Sequence, residues 1–174
     1  MKNTLSRKSG FTLIELIIVI VILGILAAIA IPMFSTSTKD ANESALKSNL
    51  AVLRNVILVY YHEHNGQYPG ALKTDGSGSA TVAGDLPAAF TDQMTLYTNK
   101  AGKNSATKDA VNYPYGPYVS VSMPVNPLPV GTSSGVSVTT DATSMTADAS
   151  PTTQWKYSKV TGQLIANNTT YQSW

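Results

Sequence analysis

Cysteine is missing from all 174 residues. Disulfide stapling, thiolate metal sites and thiol catalysis are excluded with it, so any exported part must rely on its own apolar core. Charge is scarce too: charged residues make up 13% of the chain, against a usual share of about a quarter. The formal net charge of +2 comes from the N-terminus, where Lys2, Arg7 and Lys8 stand within the first ten residues. The remainder holds nine basic and ten acidic side chains. A body so nearly neutral has no general attraction for nucleic acid or acidic lipid. There is no internal repeat, and the length suits one globular domain with an appendage.

What is present is a long apolar run. Residues 1–10 are polar and basic, and between Ser9 and Thr38 the only charge is Glu15. Leu16–Phe34 is an uncharged stretch of 19 residues. At about 1.5 Å per residue this is near the length needed to cross a hydrocarbon core of about 30 Å. Gly24 and Pro32 interrupt it mildly, as membrane helices tolerate. The basic residues ahead of it keep the N-terminus cytoplasmic and send the rest outward, a single-pass topology.

Beyond the run, Leu46, Leu50, Leu53, Ile57, Tyr60 and Tyr61 recur at spacings of three and four, which predicts an amphipathic helix. Asn65-Gly66 stops it, and Pro69 follows. The pattern reads as one helix over residues 12–64, bent at Pro32, on the order of 80 Å long. Residues 73–85 read as a Gly/Ser-rich loop, 86–98 as a short helix or turn around Phe90 and Met94, and 99–112 as a polar loop. Tyr118–Met123 alternates like a strand ended by Pro124, Pro127 and Pro129. Val136 and Val138 suggest an edge strand within a segment, 131–150, that holds ten Ser or Thr. Residues 154–157 and 163–166 flank Thr161-Gly162 as a hairpin. The expected class is α+β, a long helix backed by a small antiparallel sheet.

The informative stretch is Lys8-Ser9-Gly10-Phe11-Thr12-Leu13-Ile14-Glu15, followed by the apolar run. It resembles the class III signal of type IV pilins and type II secretion pseudopilins, over residues 7–34. The resemblance implies cleavage by a prepilin peptidase between Gly10 and Phe11, with methylation of the new amino group on Phe11. It implies that Glu15 and the Phe11 ammonium of a neighbouring subunit pair during assembly, and that Gly24 and Pro32 bend the helix. The domains would be a cleaved leader (1–10), a transmembrane and filament-core helix (11–35) and an exported pilin-like domain (36–174). Implied partners are further copies in a helical filament, other pilin-like subunits, the peptidase and methyltransferase, an inner-membrane assembly platform and the lipid bilayer. The final location is then a periplasmic pseudopilus or an extracellular pilus. Tyr113–Tyr118 with Met123–Pro127, and the Trp155–Asn167 hairpin, are similar to stretches of pseudopilin-like proteins.

Physical chemistry bears on Glu15 independently. A carboxylate carried to mid-bilayer on a lipid-facing helix costs about 2.5–3.5 kcal/mol, so a partner cation gives it a reason to persist. Its other reading is a carboxylate placed favourably near a helix N-terminus, worth about 0.3–1 kcal/mol. Residues 1–30 also parse as an ordinary secretory signal cut after Ala28-Ile29-Ala30, which would release a soluble protein. A membrane-anchored binding domain that never polymerises is a further alternative.

Weaker features point to no chemistry. His62 and His64 are about 200° apart on a helix, unsuited to one ion, and read as a solvated helix end. Asp75, Asp85, Asp92, Asp109, Asp141 and Asp148 match no EF-hand spacing. Some pseudopilins bind calcium near the C-terminus; this chain lacks their acidic, Gly-rich stretch, so the expectation is no cofactor, with calcium as the minor alternative. No Ser stands in a G-x-S-x-G context, and Gly76–Ser79 lacks the lysine of a phosphate loop. Lys100, Lys103 and Lys108 read as a solvated loop. The expectation is a structural subunit without catalytic residues.

Overall fold

The structure, a computed structural model, describes residues 10–80, 85–120, 122–128 and 135–174. The leader up to Ser9, and parts of the loops expected at 73–85 and 131–150, lie outside the described residues. In chain order the elements are α1 (Leu13–Glu63), α2 (Asp85–Thr95), β1 (Tyr97–Thr98), β2 (Asn104–Ser105), β3 (Val136–Thr139), β4 (Trp155–Ser158) and β5 (Leu164–Ala166). The chain divides into two compact units, Met1–Ala41 and Asn42–Trp174, with α1 contributing to both.

In the first unit, α1 is apolar on every side and its large side chains, Leu13 to Phe34, are exposed. It contains a stretch long and apolar enough to cross a membrane, none of it buried. Pro32 lies inside the helix and supplies no N–H to the turn before it. Just beyond, the Thr36 hydroxyl donates to the Pro32 carbonyl (3.2 Å) and that of Thr38 to Phe34 (2.9 Å).

The second unit is built on the 3–4 stripe of α1. Leu46, Leu50, Leu53, Ile57 and Tyr60 are at most 2% exposed. The first four pack with Phe90 and Met94 of α2 and with Trp155, Tyr157, Leu164 and Ala166 of the sheet. Each such large side chain contributes about 1.5–3 kcal/mol when withdrawn from water. Helix α1 ends where Asn65 (φ 54°) and Gly66 (φ 73°) enter the left-handed region, and the Gly66 N–H donates to the Tyr61 carbonyl at 3.0 Å. Glycine at that position closes the last turn without a Cβ penalty.

The sheet runs β3-β4-β5. Strands β4 and β5 form the expected hairpin, pairing Trp155 with Ala166 and Tyr157 with Leu164. Val136 and Val138 lie on an edge strand as expected, but β3 runs parallel to β4, pairing Val136 with Trp155. The sheet is therefore mixed. Residues 140–154 are long enough for the crossover that parallel neighbours need, and buried Met145 anchors it. A two-stranded antiparallel ladder of β1 and β2 stands apart.

Two expectations need correction. The described residues of Tyr118–Met123 bend rather than form a strand. The N–H groups of Tyr118 and Val119 both donate to the Met94 carbonyl (3.0 and 2.9 Å), so they cap α2 instead of feeding a ladder. The helix end at His62-Glu63-His64 is not solvated throughout: His62 is exposed, but His64 is wholly buried.

Candidate functional site

The sequence-predicted residues Gly10, Phe11 and Glu15 meet at the start of α1. Gly10 to Thr12 carry no regular structure, and the helix begins at Leu13. The Gly10–Phe11 peptide bond thus lies in open chain, the conformation a peptidase needs. A Cβ added at Gly10 would meet nothing within 4 Å, so the fold itself does not demand glycine there. The Phe11 side chain is 91% exposed and belongs to no core cluster among the described residues.

Glu15 closes a reciprocal cap with Thr12. The Thr12 N–H and its hydroxyl both donate to Glu15 Oε2 at 2.7 Å, and the Glu15 N–H donates to Thr12 Oγ1 at 3.3 Å. The Leu16 N–H reaches the Thr12 carbonyl at 3.2 Å. This is the capping box of a helix N-terminus, with Thr12 as N-cap and Glu15 three residues on. The pattern Thr-x-x-Glu ahead of an apolar run was the signal for it, one that the reading of Glu15 alone passes over. Both bonds to the carboxylate use Oε2, and Oε1 has no partner among the described residues.

Gly24 and Pro32 lie within the unbroken span of α1, and a Cβ at Gly24 would again meet nothing within 4 Å. For cations, the described residues contain no group of three or more metal-ligating side chains. Asp75 and Asp85 line one open recess of about 310 Å³ together with Lys73. Asp148 is instead tied to Lys156 (2.7 Å) and Asn167 (2.9 Å), and Lys156 holds its carboxyl below the usual carboxylate range.

The second unit carries two polar clusters that sequence reasoning missed. Buried Gln93 bonds to the backbone of Gly70, Leu72 and Gly102. His64 lies face to face with Tyr60, ring centroids 3.7 Å apart. The second was legible in outline. The stripe 46-50-53-57-60 continues to 64 at its own spacing.

A helix with a membrane-length apolar stretch, capped at its start by the one acid of that stretch and leading into a compact α+β unit, defines a class of helix-anchored subunits. Residues 5–31 match the family model described as the prokaryotic N-terminal methylation motif. The type IV narrow pilus major component PilA5 of Thermus thermophilus is 33% identical over 120 residues, covering 61% of this chain and 99% of that protein. The chain belongs to the type IV pilin family. The type II secretion system core protein G of Aeromonas hydrophila is 40% identical over 63 residues, 36% of this chain and 43% of that protein. The type IV major pilin protein PilE1 of Neisseria gonorrhoeae is 36% identical over 94 residues, 54% of this chain and 41% of that protein. The chain thus spans under half the length of these last two relatives. No solved structure matches it significantly.

Proposed function

We propose that this chain is a structural subunit of a type IV pilus or a type II secretion pseudopilus, and not an enzyme. It inserts with its N-terminus inside, loses residues 1–10 to a prepilin peptidase, gains a methyl group on Phe11 and polymerises through α1. An inner-membrane assembly platform and other pilin-like subunits are its partners, and the filament lies in the periplasm or outside the cell. The observation that carries this reading is Glu15, which stands at the head of an exposed apolar helix with one carboxylate oxygen that has no partner among the described residues.

A carboxylate carried into the bilayer at the head of an apolar helix is costly unless a cation accompanies it, and the ammonium of a second copy's Phe11 is such a cation. The open position of Gly10 supports a glycine demanded from outside the fold, by the peptidase. Against an ordinary signal, a cut after Ala30 would sever α1 between two helical residues. Gly24 and Pro32 are the proposed points of bending.

Two substitutions separate capping from pairing. Thr12→Val removes the side-chain half of the cap and leaves the carboxylate; Glu15→Gln keeps a side chain able to cap but removes the charge. Filaments recovered by shearing should persist in the Thr12 variant and be lost in the Glu15 variant, with both still inserted in the membrane. Normal filaments from Glu15→Gln would overturn the pairing. Mass spectrometry of the wild-type mature chain should find N-methylated Phe11 at its start; a start near Ile31 would overturn the processing.

A further inference from the structure

His64 is wholly buried just past the end of α1. Its Nδ1 lies 2.9 Å from the Tyr60 carbonyl, which can only accept, so Nδ1 carries the proton. Nε2 is then the acceptor, and the Thr98 hydroxyl donates to it at 3.0 Å. The ring is stacked on Tyr60 and meets Tyr115 and Tyr118 at centroid distances of 5.3 and 6.1 Å. Thr98 belongs to β1, which pairs with β2, and its backbone exchanges hydrogen bonds with that of Tyr115 (2.9 and 3.1 Å). One imidazole thus joins the end of α1 to both sides of the segment 96–118.

We propose that His64 is a proton-sensitive latch that holds residues 96–118 against the end of α1 and loosens them in mild acid. A second proton turns Nε2 from acceptor to donor, so the Thr98 hydroxyl must give up its bond and turn its proton elsewhere, and it places a charge on a ring wholly withdrawn from water. The titratable groups around the ring are Tyr60 and Glu63 from its own helix and Tyr115 and Tyr118 from the facing segment. Glu63 is the one carboxylate, and it already accepts a hydrogen bond from the Tyr118 hydroxyl. Burial opposes the charged ring more strongly than Glu63 favours it and holds the His64 pKa below the ordinary 6.5. The sign follows: the opened segment binds a proton that the closed one refuses, so the latch is fully closed above about pH 6.5 and weakens as pH falls below it.

The test is hydrogen exchange on the full chain in detergent micelles, with His62→Gln as background so that His64 is the only histidine. Between pH 6.5 and 5.5 protection factors in peptides spanning residues 96–118 should fall by up to about fivefold, the limit when the opened imidazole has its ordinary pKa of 6.5. Those of β4 and β5 should hold. His64→Phe, which keeps a stacking ring, should abolish the pH dependence of residues 96–118, and Thr98→Ser should retain it. Nuclear magnetic resonance titration of the His64 ring supplies a readout should the Phe variant fail to fold. A ring that titrates at or above 6.5, or protection that falls equally in both regions, overturns the latch.

Discussion

Gln93 has no exposed surface, yet it sits on the inward face of α2 among Phe90 and Met94. Its carbonyl accepts from the Gly70 N–H (2.8 Å), and its amide nitrogen donates to the carbonyls of Leu72 and Gly102 (2.9 Å each). A single side chain therefore ties two loops to a helix. Gln93→Leu would strand three backbone groups at about 1–3 kcal/mol each, so a loss of about 3 kcal/mol or more is expected in denaturant unfolding. Gln93→Glu is the sharper probe. The carboxylate would still accept from Gly70 but would face two carbonyls, which favours its protonated form and raises its pKa in the folded state. A carboxyl so raised destabilises the fold increasingly as pH climbs past its unfolded value near 4.3. The variant should therefore be closer to wild type at pH 4 than at pH 7, whereas Gln93→Leu should show no such trend.

Among the elements, the hairpin of β4 and β5 depends most on one position. Gly162 adopts φ +71°, and a Cβ there would stand 2.2 Å from Cε1 of Tyr68. Gly162→Ala combines a left-handed penalty of about 1–2 kcal/mol with displacement of a core-packed ring, so thermal unfolding should shift down by several degrees. Gly78→Ala is the comparison for backbone strain without a clash, since Gly78 also has a positive φ (+128°) but nothing lies within 4 Å of its Cβ position. This hairpin was legible in the sequence because its turn chemistry and its alternation agree. The stripe of α1, its Asn65-Gly66 stop and the edge strand at Val136 were legible for similar reasons. The sheet's mixed direction was not, because it is set by the crossover at 140–154, where Asp148 bonds to Lys156 and Asn167 far along the chain. Tyr118–Met123 has the period of a strand, but its first donors are claimed by Met94, a competition invisible to periodicity. The C-terminal turn was equally hidden. Arg54 donates to the carbonyls of Leu164 and Trp174, Lys47 lies 4.2 Å over the Trp174 ring, and the Tyr171 hydroxyl meets Glu43 at 3.1 Å. At the candidate site Gly10, Phe11 and Glu15 were readable as a motif, while the unused carboxylate oxygen needed coordinates.

At the scale of the whole molecule, the first half of α1 is exposed among the described residues while the second unit buries its own core. Every buried member of the main core, from Leu46 to Ala166, lies in Asn42–Trp174. The large apolar side chains of Leu13–Phe34 are all exposed. A chain beginning at Asn42 should therefore keep its fold. Asn42 would become a competent N-cap and Glu43 would sit in the first turn, where a negative charge is favoured. The cut falls ahead of the first core residue, Leu46, so fraying of that turn leaves the stripe intact. This fragment has eight basic and eight acidic side chains, so charge repulsion contributes nothing to its solubility near neutral pH. Its remaining large exposed apolar residues are Val52, Leu58 and Val59, half-exposed on α1, and the scattered Val111, Val125 and Val160, a small apolar surface beside that of Leu13–Phe34. Light scattering in detergent-free buffer should find a monomer, and heating should give one cooperative transition. The full chain should require detergent or lipid under the same conditions. Aggregation of the fragment, or a gradual melt, would place part of the stabilising core in residues 1–41 and contradict the division.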